Sequence, residues 1–262
     1  MGYGQPSAAS ARYETLGATT GIGTNVTSGS TANSTGATVT LGTASFDYDG
    51  IYFTTQGGNT VNLLTVVINT GGSDQVIVPF VTIPHTTGGA QLQLTSGLIP
   101  VRVPAGAAVK VRMQATTASA GANVMLTGVQ GNNNIALGFR GLACLTDITT
   151  GQPTTGVLMA GTTFSAWTQM TAATLYRIAG LYWSYEQRGT TVSSTNVLIQ
   201  VGWGPAGSER ILFTAGFNFA LFPSMQGPYP CDLPAGIRLA VRLQASAANA
   251  QTISIFVHGL IA

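Results

Sequence analysis

The chain says the same thing twice. Gly50-Ile51-Tyr52-Phe53-Thr54 returns as Gly180-Leu181-Tyr182-Trp183-Ser184, and Gly72-Ser73-Asp74-Gln75-Val76-Ile77-Val78 returns as Gly207-Ser208-Glu209-Arg210-Ile211-Leu212-Phe213. Pro100, Pro104, Ala105 and Gly106 recur as Pro230, Pro234, Ala235 and Gly236, and Arg112-Met113-Gln114-Ala115 recurs as Arg242-Leu243-Gln244-Ala245. The blocks keep their order, and a small drift in spacing is what one lengthened and one shortened loop produce. Such a chain folds as two copies of one domain, and 262 residues let each copy bury its own core. Duplication multiplies surface and pseudo-symmetry, whereas catalysis needs unlike parts brought together.

Each copy reads as β-structure. Val61 to Ile68 and Val76 to Val81 are short apolar runs rich in β-branched residues, set off by Gly57-Gly58 and Gly71-Gly72. Asn69-Thr70-Gly71-Gly72-Ser73 reads as a hairpin loop. After Pro104-Ala105-Gly106, Val109, Val111 and Met113 alternate with Lys110, Arg112 and Gln114. In the second copy Leu239, Val241 and Leu243 alternate with Ala240, Arg242 and Gln244. Period two after a turn is a half-buried strand. Val124 to Val129 and Ile253 to Val257 supply a closing strand for each copy. Met159 to Met170 comes nearest to a helix, and its Thr and Gly make it a poor one. The predicted class is all-β, two tandem duplicated β-sandwich (jelly-roll-like) domains with about eight strands each. The polar break Gln130-Gly131-Asn132-Asn133-Asn134 separates a first copy over 41–131 from a second over 132–262.

Residues 1–40 form an expected extended N-terminal arm, low in complexity, with Tyr3, Arg12, Tyr13 and Leu16 as its strong anchors. Such a segment cannot order itself by burying apolar surface. An ordered arm therefore needs a host, either its own domain or a neighbouring chain. The arm lacks the charged-then-apolar layout of a secretory signal, which predicts synthesis in a cytoplasm. Asn25-Val26-Thr27 and Asn33-Ser34-Thr35 match the glycosylation pattern, here read as chance in a Thr-rich segment.

Only 7% of the residues are charged, against about 25% in an ordinary soluble domain. So few charges leave a free monomer prone to self-association and point to a surface occupied by neighbours in an assembly. The net charge is +2, nearly all the basic residues are Arg (Lys110 is the exception), and no basic run occurs, which argues against a nucleic-acid partner. No apolar stretch reaches the ~18–20 residues that cross a bilayer, so no membrane partner is expected. Cys144 and Cys231 are too few for a disulfide framework and are expected free and buried.

Chemistry is sparse. His85 and His258 do not correspond between copies, because Thr127 stands where His258 aligns. Two His, two Cys and eight scattered acids do not make a three- or four-ligand metal site. Asp47-Tyr48-Asp49-Gly50 resembles the start of a calcium loop, but no Glu follows at the required place, and turn-forming acids are the expectation. No Gly-x-Ser-x-Gly elbow, phosphate-binding loop or His-Glu-x-x-His is present, and no carboxylate pair is marked for glycoside hydrolysis. No catalytic residue, metal or cofactor is predicted. Trp167, Tyr185 and Trp203 lack clear counterparts in the first copy and are candidates for an aromatic ligand platform, with core packing the plainer reading. Arg112/Gln114 and Arg242/Gln244 recur on the outer face of a strand, as a solvated face or as equivalent contact rows. With Tyr3, Arg12 and Tyr13 they are the candidate interface residues.

The run Leu233-Pro234-Ala235-Gly236-Ile237-Arg238-Leu239-Ala240-Val241-Arg242-Leu243-Gln244-Ala245 resembles stretches in β-rich virion proteins of tailed bacteriophages. That resemblance implies a non-enzymatic structural protein located in the virion, of the capsid decoration (cement) type or a fibre, collar or tail accessory. Its implied partners are the major capsid protein or other virion proteins and further copies of itself, with a trimer expected. Two pseudo-equivalent domains would bridge neighbouring capsid subunits, and an extended arm would add a strand to a neighbour's sheet edge. The rival expectation is a carbohydrate- or receptor-binding module built on Trp167, Tyr185 and Trp203.

Overall fold

A computed structural model describes residues 12–18, 23–57, 62–83, 93–115, 117–131, 141–146, 148–149, 152–153, 157–187, 196–218, 225–246 and 250–262. Its first half contains β1 (Arg12–Leu16), β2 (Thr24–Thr27), β3 (Val39–Thr43), β4 (Gly50–Gly57), β5 (Asn62–Asn69), β6 (Gln75–Ile83), β7 (Gln93–Thr95), β8 (Ala108–Ala115) and β9 (Gly121–Gln130). One sheet runs β1–β9–β4–β7, with β2 continuing the line of β1 along β9, and the facing sheet runs β3–β8–β5–β6. Two facing sheets with this crossed-over order make a jelly roll.

The second half repeats the order strand for strand. It holds β10 (Gly141–Cys144), β11 (Ile148–Thr149), β12 (Gln152–Pro153), β13 (Val157–Ala160), β14 (Thr168–Thr171), β15 (Ile178–Gln187), β16 (Asn196–Trp203), β17 (Arg210–Asn218), β18 (Gln226–Leu233), β19 (Leu239–Ala245) and β20 (Ala250–Ile261). Here β10 and β13 together pair with β20, which pairs with β15 and then β18, while β14–β19–β16–β17 forms the facing sheet. A bridge between Met159 and Leu243 ties β13 to both sheets. The registers agree as well: Tyr52 lies opposite Thr127 as Tyr182 lies opposite His258. The Met159–Met170 region holds β13 and β14 and no helix. Among the described residues no helix is long and apolar enough to cross a membrane.

Period-two patterning fills both cores. Val109, Val111 and Met113 on β8 and Leu239, Val241 and Leu243 on β19 are wholly buried, each contributing up to about 1.5–3 kcal/mol by apolar burial. Gly128 on β9 lies directly over the buried Tyr48 ring, where a Cβ would collide with the aromatic carbons.

The segment expected as an arm behaves differently over its described part. Arg12–Leu16 and Thr24–Thr27 pair with β9 of their own sandwich, in register from Arg12 opposite Gln130 to Thr27 opposite Gly121. Leu16 and Val26 supply the buried side chains, and the chain leaves and rejoins the sheet at Gly17 and Gly23, both at positive φ. Tyr3 lies outside the described residues.

Candidate interaction surfaces

The most distinctive surface is internal. β15 buries both of its faces: Leu181, Trp183 and Tyr185 fill their own sandwich, while Tyr182 turns the other way into the core of the first half. Leu142 of β10 and Leu260 of β20 join the same cluster. The outer face of the second sandwich's β10–β20–β15 sheet is thus covered by the edge of the first sandwich, where β6 runs against β10 and β15. Ile77 on β6 approaches Gly141, and the Tyr182 hydroxyl donates to the Leu98 carbonyl at 3.1 Å.

His258 sits in the middle of this seam, fully buried, with Nε2 2.8 Å from the Pro79 carbonyl oxygen. Nε2–H donates, and Nδ1 has no partner among the described residues. Burial lowers the imidazole pKa to about 4, outweighing the Pro79 and Phe80 carbonyls that favour the charged form. His258 is therefore a neutral latch at ordinary pH. His85 lies outside the described residues.

The two Arg/Gln pairs have different surroundings. Arg242 donates from Nε to Gln200 at 2.8 Å, and its guanidinium lies 4.4 Å from the Trp167 ring and 4.8 Å from the Phe164 ring. Gln244 donates to the Thr162 carbonyl at 2.6 Å. Both side chains hold down the segment between β13 and β14 on their own sheet. Arg112 lies opposite Thr65 on β5, and the Gln114 Oε1 is buried without a partner among the described residues. Arg12 lies over Phe46 and donates to Gln130, while Tyr13 next to it is 63% exposed.

Trp167, Tyr185 and Trp203 do not share a face. Tyr185 is 5% exposed and packs against Phe217, ring centroids 4.3 Å apart, because it falls on the core-facing phase of β15. Trp203 packs at the rim of the same core beside Arg210. Trp167 lies outside the sandwich, over Gly202, whose missing side chain leaves room for the indole. A cavity of about 500 Å³ opens near Asn196, Leu198, Phe217, Gln244 and Ser246.

Six of the described acids are engaged elsewhere. Asp47 accepts from the Ala105 amide at 2.7 Å and Asp49 from the Gly131 amide at 2.8 Å, so the pair braces two separate turns. Asp74 binds Lys110, Asp232 binds Arg177 and Glu209 binds Arg238. Burial acts to raise the Glu14 carboxyl, but hydrogen bonds from Tyr48 and Ser45 outweigh it and hold its pKa below the usual range. No group of three or more His, Cys, Asp or Glu that could hold a metal occurs among the described residues. Cys144 and Cys231 are free thiols, and burial pushes their pKa values up to about 12 and about 11.

No protein-family model matches the chain, and no curated protein matches it. Among solved structures, that of the STIV MCP is similar over 95% of this chain and 95% of that one, at 9% identity and a TM-score of 0.41. A structure of Sulfolobus Turreted Icosahedral Virus is similar over 95% of this chain and 90% of its own, at 11% identity and a TM-score of 0.38. A structure of the T13 IBDV viral particle aligns over 96% of this chain and 39% of its own, at 9% identity and a TM-score of 0.30. Likeness at this level places the chain in no family.

Proposed function

We propose that this chain is a non-enzymatic structural protein of a virus particle, working through contacts with copies of itself or with neighbouring shell subunits. The observation that carries the reading is the seam: one sandwich edge covers the sheet face of its twin, so the fold itself is a tile-to-tile contact. The sparse charge of the chain suits a surface that neighbours cover. Jelly rolls serve viral capsids as well as lectins and cupins, so the fold alone does not decide among them. The resemblance of residues 233–245 to virion proteins favours the first use. Burial of Tyr185 in the core, with Trp167 over Gly202 outside it, weighs against the carbohydrate-binding alternative.

Within the particle, two roles remain: a decoration protein that bridges capsid subunits, and a unit of the shell itself. The tile-like seam favours the shell. Electron microscopy and sedimentation of the purified chain test the proposal. Closed shells or regular lattices formed by the chain alone support a shell unit, and discrete oligomers that bind only to preformed capsids support decoration. A chain that stays monomeric, binds no capsid and retains glycans on an array refutes both.

A further inference from the structure

Aligned by register, several residues of the seam have a more exposed counterpart in the other half, although Val129, the twin of Leu260, is itself buried. Leu142 lies opposite Leu260, and in the first sandwich Tyr13 lies opposite Val129 at the equivalent place. Leu142 is 4% exposed in the seam, whereas Tyr13 is 63% exposed. Tyr182 and His258 correspond to Tyr52 and Thr127, which are half-buried on the open face of β4 and β9. The covering edge has its twin too. The buried β6 residues Ile77 and Pro79 correspond to Leu212 and Thr214 on β17, where Leu212 is half-buried and Thr214 exposed. Beside β17, Pro228 of β18 is exposed, where its first-half counterpart Leu98 accepts the hydrogen bond from the Tyr182 hydroxyl.

We infer that a second copy of this chain docks its β17–β18 edge on the open β1–β9–β4 face of the first sandwich, repeating between chains the contact already made within one. This rests on the assembly reading for its occupant and on the internal repeat for its geometry. The contact is heterologous, one face against a different edge, so it propagates head to tail and closes into a ring where the rotation permits. It is also weaker than the seam it copies. Thr127 replaces the His258 latch, its hydroxyl lies 3.2 Å from that of Thr15 within its own sheet, and Tyr13 replaces the smaller Leu142. Association between chains is therefore reversible and concentration-dependent, while the two halves of one chain stay joined.

Two surface substitutions separate the partners of this contact. Tyr13→Asp spoils the face and leaves the edge, and Thr214→Asp, at the counterpart of the seam residue Pro79, spoils the edge and leaves the face; both side chains are exposed, so folding is undisturbed. Leu175→Asp, in the exposed turn between β14 and β15 outside both surfaces, is the control. By sedimentation velocity, the wild type and the control associate, and each single variant raises the dissociation constant roughly tenfold or more. Mixing the two variants restores one intact contact and yields a two-chain species that neither forms alone. A single variant that associates like the wild type, or a mixture without the two-chain species, overturns the assignment of surfaces and leaves the shell reading standing. A wild type that stays monomeric at every concentration, with or without preformed capsids, overturns both.

Discussion

Acid should begin to loosen this protein above the pH range in which its carboxylates protonate, and the seam histidine is the reason. The folded chain holds His258 at a pKa of about 4, against 6.5 for a free imidazole. A group depressed on folding contributes stability that is complete above its unfolded pKa and is lost as pH falls toward the folded one, so the window runs from 6.5 down to 4. At about pH 4.5 the unfolded imidazole is almost wholly charged and the buried one mostly neutral, which costs about 2.5 kcal/mol relative to neutral pH. The titratable cross-strand neighbours, Cys144 on β10 and Tyr182 on β15, have pKa values raised by burial and stay neutral throughout. The depressed carboxyls of Glu14, Glu209, Asp74 and Asp232 begin to lose their own contributions only as pH falls through their unfolded values of 4.5 and 3.8, at the bottom of this window. Denaturant unfolding of the wild type and of His258→Gln across this range reads the effect. Gln carries no proton to gain and reaches for the same carbonyl, so the variant should start less stable and show a pH slope smaller by that amount. Equal slopes in the two proteins would refute the argument.

Gly128→Ala forces a methyl into the Tyr48 ring, and thermal unfolding should show a loss of about 2–3 kcal/mol or a failure to fold. Tyr48→Phe removes the donor to the Glu14 carboxylate and should cost about 1.5–3 kcal/mol. An NMR titration of that variant should find the Glu14 pKa moved upward, since the Tyr48 bond is the foremost influence holding it down. A thiol reagent at mildly alkaline pH should react slowly with both cysteines of the native protein and quickly after unfolding, because burial holds Cys144 and Cys231 in the thiol form. Rapid reaction in the native state would contradict that.

The strands β8 and β19 were legible in the sequence because one face is buried and one is not, so Val109-x-Val111-x-Met113 and its twin announce their phase. The duplication was legible for a different reason: turn residues such as Pro104-Ala105-Gly106 are held by backbone conformation, and Gly106 and Gly236 both sit at positive φ. β15 hid its role, since a strand buried on both faces shows no alternation. Tyr185 therefore reads as a surface candidate until its phase is fixed by Trp183 and Leu181. β1 and β2 were hidden by composition. Their few apolar residues suffice only because β9, distant in sequence, supplies the rest of the pairing. Nor could spacing reveal that His258 faces Pro79, which depends on how the two halves meet.

The interruption of the first strand, seen in both halves, has a consequence for how such a chain can change. Pairing with the partner strand resumes on the far side of the excursion, after Gly23 in one half and at Val157 in the other, so the excursion's length is uncoupled from the alignment of the sheet. The second half already carries the small β11–β12 hairpin there. Closing a longer loop costs only about 0.6 kcal/mol per doubling. These two places would accept foreign peptides, epitopes or whole small domains while leaving the framework, and whatever it builds, intact.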